Sequence, residues 1–374
     1  MDAENLTIGG QGVDRFTRRR LITATGVAGL GALAMASGLG ACTTNSTQTG
    51  AAASSAGTGK KRKIVWAIAA IGDWNLPVDV GFNDAARLIG WDYTKVGLPL
   101  AQYSAENQVN VLERAVLTKP DVLVTDWWVK GEADPLAKAQ QAGIFCMACD
   151  ADNFPEDRTK LGIAWVGSDF RANGHALGLR LAAEVIKKGK TSGTFLFGVA
   201  SPGNANVEDR GKGINDAVQE WNQTHGTSFT YERFPDQAAG EASVSSGLYS
   251  AKITQLGSKL VAAAGDATSW PTIIINTLKA KGFSAGQVTL GAFRADPPAI
   301  NGLKDGWITA SADESFYPFG YVTTMLAWQY FERGMQPSDY KTGGGLIDST
   351  NLAAIEAREA KIQQLAKEYK VKLS

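Results

Sequence analysis

Cysteine and histidine are scarce in this chain, with three Cys and two His among 374 residues, and that scarcity excludes several chemistries at once. Three Cys cannot staple a fold of this length, so a disulfide scaffold is ruled out. His175 and His225 stand apart from any Asp, Ser or Cys pattern, so neither a catalytic triad nor a metal-ligating set follows, and no metal or cofactor is expected. The phosphate-cradling motif Gly-x-x-x-x-Gly-Lys-Ser/Thr is absent, which removes nucleotide hydrolysis. An excess of one charge is missing too. Basic and acidic residues balance at 37 each, with no long basic cluster beyond Lys60 to Lys63, so no nucleic-acid partner is expected. Cys146-Met147-Ala148-Cys149 has the spacing of a redox pair. In an extended strand, however, residues three apart point to opposite faces with Cα atoms roughly 10 Å apart, too far for a disulfide. Buried free thiols are expected there, with an exported thiol oxidoreductase as the competing reading.

The chain begins with a leader. Thr17-Arg18-Arg19-Arg20 precedes a Gly- and Ala-rich apolar run that ends at Leu39-Gly40-Ala41-Cys42. A basic segment, an apolar segment and small residues before a cleavage point make a signal peptide, and the paired arginines resemble the twin-arginine type. The final four residues resemble a bacterial lipobox, in which Cys42 becomes the acylated first residue and holds the chain to a membrane. An uncleaved transmembrane helix from Leu21 to Leu39 is the alternative. Residues 1–41 are therefore assigned to the leader. A Thr-, Ser-, Ala- and Gly-rich tether at 42–60 comes next, whose composition cannot bury a core.

From Lys60 onward, short apolar runs alternate with segments of helical period. Lys63 to Ala69, Trp91 to Val96, Asp121 to Thr125 and Ile144 to Cys149 read as strands; Val80 to Ile89, Ala105 to Leu117 and Pro135 to Ala142 read as helices. The alternation restarts after Val166-Gly167-Ser168-Asp169. The fold class expected is α/β, with two doubly wound parallel-sheet domains, because crossover helices cover both faces of strands that are continuously apolar. The last segment, Leu352 to Tyr369, reads as a charged amphipathic helix packed on the surface.

Ligands of open parallel sheets bind beyond the carboxyl ends of the strands. Acids and tryptophans gather there: Asp73, Trp74 and Asn75 after the first strand, Asp126, Trp127 and Trp128 after the third, Asp150 after the fourth. The second half offers Asn204, Asn206, Asp266, Arg294, Asp313 and Glu314. Aromatic faces pack on the C–H surface of a sugar, carboxylates accept pairs of hydroxyl donors, and Asn or Arg donates to the remaining lone pairs. Each acid has a plainer reading as a helix cap, which suits Asp79 and Asp134 better. Trp66 and Trp165 lie inside strands and are expected in the core.

From Lys63 to about Gly334 the chain resembles the ribose-binding-like, type I periplasmic solute-binding proteins of sugar ABC transporters. The marks are Gly81-Phe82-Asn83-Asp84-Ala85-Ala86, Lys119 to Val124, Gly143-Ile144 with Asp150, Val166 to Asp169, Asp209-Arg210-Gly211-Lys212-Gly213 and Leu303-Lys304-Asp305-Gly306. The resemblance implies a three-strand hinge, with 61–167 plus 313–340 in the first domain and 168–312 plus 341–374 in the second. It also implies ligand contacts from Trp74 or Asn75, from Asp150 and from Arg210. Two positions depart from the pattern: Arg294 stands where the family has an acid, and Ala151 where an arginine commonly follows the strand-four acid. The resemblance and the leader together imply a monomeric, non-enzymatic, lipid-anchored binding protein that delivers a small sugar or polyol to an ABC permease. A cationic or zwitterionic ligand in a tryptophan cage is the alternative.

Overall fold

The computed structural model describes residues 60–68, 70–238 and 242–371; the leader, Cys42 and the tether lie outside the described residues. The first lobe runs through β1 (Lys63–Ala67), α1 (Leu76–Ile89), β2 (Asp92–Val96), α2 (Ala105–Leu117), β3 (Val122–Trp127) and α3 (Ala133–Gln141). It continues with β4 (Phe145–Asp152), α4 (Pro155–Lys160) and β5 (Trp165–Ser168). The second lobe contains α5 (Phe170–Lys187), β6 (Ser192–Val199), α6 (Ala205–His225), β7 (Ser228–Pro235), α7 (Ala242–Leu256) and β8 (Leu260–Gly265). After it come α8 (Trp270–Ala280), β9 (Thr289–Phe293), α9 (Pro297–Lys304) and β10 (Ile308–Asp313). The chain then returns to the first lobe for α10 (Tyr317–Arg333) and β11 (Tyr340–Thr342), and crosses again to β12 (Gly345–Ile347) before α11 (Leu352–Tyr369).

Each lobe holds a six-stranded sheet, in the orders β11-β5-β4-β3-β1-β2 and β12-β10-β9-β8-β6-β7. The pairings are parallel except for β12 on β10. This is the α/β, twin-parallel-sheet fold expected from the sequence. Strand periodicity sorts the first core into two layers. Ile64, Trp66, Val124, Met147 and Cys149 face one way, with Phe82 and Phe319, and Val65, Ala67, Leu123, Cys146 and Ala148 the other, with Leu112 and Leu136. The two thiols are thus free, buried and on opposite faces, and burial pushes Cys146 up to about 12. A thiol so hard to ionise is a poor redox nucleophile.

Helix starts are written locally. Ser104 accepts the Asn107 N–H at 3.1 Å ahead of α2, Asp169 that of Ala172 at 3.0 Å ahead of α5, and Asn204 that of Asn206 at 3.0 Å ahead of α6. Each lobe also contains one close helix pair. A Cβ at Gly81 of α1 would stand 2.2 Å from the Tyr317 carbonyl oxygen, and one at Gly320 of α10 would stand 2.2 Å from that of Val78. In the second lobe, Gly174 of α5 and Gly213 of α6 make the same reciprocal approach, at 2.1 and 2.0 Å from the backbone oxygens of Arg210 and Arg171.

The chain's end departs from the sequence reading. Lys341 and Thr342 pair with Gly167 and Ser168 in the first sheet, not the second. Helix α11 does not belong to the second lobe alone. Leu352 and Ile355 at its start pack on the second lobe's core and Glu356 pairs with Lys304, while Ile362 and Ala366 pack on Leu76 and Val80 of α1. It bridges the lobes because its apolar stripe has a partner on each. One histidine does have an acid beside it: His175 Nε2 lies 2.7 Å from Glu220 on the surface between α5 and α6.

Candidate functional site

The carboxyl ends of the two sheets carry the charged residues, and three of these positions hold an unusual backbone. Asp150, Arg294 and Ser315 are non-glycine residues in the left-handed region, at φ of 59°, 67° and 49°. Such conformations cost energy and persist where the surroundings over-determine them. At Asp150 the surroundings are visible: the Trp165 indole donates to its carbonyl oxygen at 3.1 Å. At Arg294 the backbone N–H donates to Ala312 at 2.8 Å and the carbonyl accepts from Ser311 Oγ at 2.6 Å.

Arg210 and Glu314 form the centre. Arg210 projects from α6, Glu314 follows β10 at the crossing between lobes, and both are buried. Their fork-to-fork pair has Nε–Oε1 at 2.6 Å and Nη2–Oε2 at 2.7 Å, and the guanidinium lies 4.3 Å from the Phe170 ring centroid. A bidentate, ring-stacked arginine is held in one orientation. Arg294 is held differently, donating to Asp296 Oδ2 at 3.0 Å and Thr268 Oγ1 at 2.9 Å, with Phe316 under it at 5.7 Å.

Around these cations stand three buried acids. Asp150 has no hydrogen-bond donor from the protein to its carboxylate among the described residues. Burial pushes it up to about 6, against the pull of Arg210 and Arg294 and with the push of Glu314. Asp266 accepts the Ala200 N–H at 3.3 Å and is raised by burial, opposed by Arg210 and Arg294. Asp126 lies deeper. Its Oδ1 accepts from the Trp66 indole at 2.8 Å, its Oδ2 has no partner, and burial followed by the Asp150 charge raises it well above the carboxylate range.

The remaining candidates scatter. Asn75 is buried, accepts the Gly72 N–H at 2.7 Å and leaves Nδ2 without a partner. Asp73 is exposed in the short turn after β1. Asn206 sits in the first turn of α6, its carbonyl accepting from Arg210 at 3.3 Å. Trp74 folds over Gly72, where a Cβ would meet its ring at 1.9 Å, so only glycine fits there. Trp127 is a correction. It is fully buried beside Leu123, Leu136 and Phe154, because β3 runs two residues beyond Thr125 and strand alternation turns Trp127 to the face opposite Asp126. Trp128 is half-buried and meets Tyr103 edge-on at 5.4 Å. Sequence reasoning missed the phenylalanines under the arginines. Phe170 directly follows the Ser168-Asp169 crossover and Phe316 lies two residues past Glu314, so their signal was an aromatic beside a lobe crossing.

Among the described residues no group of three His, Cys, Asp or Glu side chains could hold a metal ion, and no helix is long and apolar enough to cross a membrane. The site therefore offers fixed guanidiniums, buried carboxylates and aromatic rings, a set suited to recognising polar atoms. A family model described as a periplasmic binding protein domain matches residues 42–334. The chain belongs to this family.

This periplasmic binding protein is thus a non-enzymatic, extracytoplasmic solute-binding protein. It is 21% identical over 290 residues to a xylose/arabinose-binding protein of Sulfolobus acidocaldarius, covering 74% of this chain and 68% of that relative. Among solved structures, it is similar to an ABC transporter solute-binding protein of Actinobacillus succinogenes with bound D-allose. That match has TM-score 0.68 and 18% identity, over 79% of this chain and 100% of the other. A carbohydrate transporter protein of Acidothermus cellulolyticus in complex with myo-inositol matches with TM-score 0.65 and 17% identity, over 81% and 99%.

Proposed function

We propose that the protein captures a small neutral sugar or polyol at the strand ends of its two lobes and presents it to an ABC importer. The Asp150 carboxylate carries this reading: among the described residues it accepts no hydrogen bond from the protein, and ligand hydroxyls are donors that would satisfy it. Arg210 and Arg294 already have their charges answered by Glu314 and Asp296, so a neutral ligand needs no further counter-ion from them. The sugars and inositol held by the similar proteins favour the same class. Trp74, Asn75, Asn206 and Asp266 belong to the proposed site; Asp126 supports it from behind.

Calorimetry against D-xylose, D-arabinose, D-allose and myo-inositol tests this. One of them should bind, and Asp150→Ala should cost it about 1.5–3 kcal/mol, one to two decades of affinity. Because the carboxyl titrates near 6 and must be ionised to accept two hydroxyls, affinity should hold above that pH and weaken below it. Binding of an amine in place of all four polyols, or unchanged binding in Asp150→Ala, would overturn the assignment.

The proposal extends to the membrane. The family match starts at Cys42, immediately after the lipobox-like Leu39-Gly40-Ala41, which supports an acyl anchor at that residue. Cys42→Ser should move the protein from the membrane fraction to the soluble fraction, and an unchanged distribution would refute the anchor.

A further inference from the structure

A cavity of about 420 Å³, open to solvent on one side, lies beside the charged site, walled by residues of both lobes and by α11. Its size is that of a small-molecule pocket. Trp74, Phe316 and Tyr317 form one side and Ile362 and Leu365 of α11 the other, so its body is apolar and aromatic. Most of its charged groups are already paired, while Lys361 at its exposed edge reaches the Gln364 Oε1 at 3.4 Å. Arg358 is bidentate on Asp313, at 2.6 and 3.2 Å, and also pairs with Glu359; Asp84 accepts from the hydroxyls of Tyr317 and Tyr369. Arg294 and Trp74 line both this cavity and the proposed polyol site, and Arg294 faces Asp150 and Asp266 electrostatically on its other side. The α11 wall lies beyond residue 334, where the family match ends.

We infer that this cavity is an accessory subsite for an apolar, preferably aromatic, substituent carried on the polyol: the ligand is a glycoside-like molecule whose hydroxylated part sits among Asp150, Arg210 and Arg294 and whose apolar part extends past Arg294 against Trp74 and α11. The inference rests on the sugar-or-polyol reading above. Flat aromatic groups bury more apolar surface and stack more fully on Trp74 than the C–H face of a free sugar does.

The test compares free D-xylose and D-arabinose with their methyl and phenyl glycosides by calorimetry on the purified protein. Phenyl glycosides should bind at least ten-fold more tightly than methyl glycosides, which differ only in the ring. Leu365→Trp fills the cavity and should abolish that preference while leaving the free sugars unchanged. Leu365→Ala, which enlarges the space with less risk to folding, should reduce the preference several-fold, and thermal melts of both variants would confirm that they fold. Free sugars binding with no phenyl preference would overturn the inference alone. Failure of these sugars and glycosides to bind, together with failure of D-allose and myo-inositol, would overturn it along with the sugar-or-polyol reading.

Discussion

Glu314→Ala should be among the most damaging single substitutions in this protein, lowering stability by about 3–5 kcal/mol, the usual cost of stranding a buried charge. The Arg210 guanidinium has both of its short charge-assisted bonds to this one carboxylate, and it lies almost fully buried between Phe170 and Phe293. Two-state denaturant melts of the purified variant would measure the loss. The double variant Glu314→Leu with Arg210→Met should recover much of it, because an apolar pair of similar volume removes the stranded charge. A single variant as stable as the parent would show that the pair contributes nothing to holding the crossing after β10 against α6.

Gly213→Val should be comparably severe, for a steric reason. A Cβ there would stand 2.0 Å from the Arg171 carbonyl oxygen and 2.6 Å from the His175 backbone nitrogen, and neither atom is the end of a flexible side chain. Helices α5 and α6 would have to separate, breaking the packing of Leu177 and Leu181 against Ile214 and Val218. Forced overpacking of this kind typically costs about 1–3 kcal/mol, and more where rigid backbone must move. The paired contact at Gly174 would be lost at the same time, since the two glycines face each other across one crossing. Thermal melting by circular dichroism would report the change, and a melting temperature within a degree of the parent would contradict the close approach. An alanine at solvent-exposed Gly247, whose Cβ meets nothing within 4 Å, is the control and should stabilise α7 slightly.

Much of this was legible in the sequence because it depends on local periodicity. Apolar strands alternating with helical segments specify parallel sheets, and parallel sheets put their strand ends, with Asp150, Asp266 and Arg294, along one edge of each lobe. The same logic placed Cys146 and Cys149 on opposite faces. It failed at Trp127 through an error of strand length rather than of principle: two more residues of β3 turn that ring inward, and a strand boundary depends on pairing with β4, which shifts register between Thr125 and Trp127. The helix at 352–369 was legible as amphipathic, but its two partners were not, since its stripe meets the second lobe at Leu352 and Ile355 and α1 at Ile362 and Ala366.

The sequence by itself determined the residue types at the strand ends and the caps that start α2, α5 and α6, because each cap acts on neighbours a few positions away, whereas the glycines at the helix crossings answer to residues of another helix. Only the tertiary structure decided which charge answers which. Arg210 sits beside Asp209 in the chain yet pairs with Glu314, 104 residues on, while Arg294 takes the near partner, Asp296. The reason is geometric. On α6 the side chains of adjacent residues diverge by about 100°, so Asp209 turns outward to Lys212 while Arg210 turns inward, where a buried guanidinium must find a carboxylate brought there by another part of the fold.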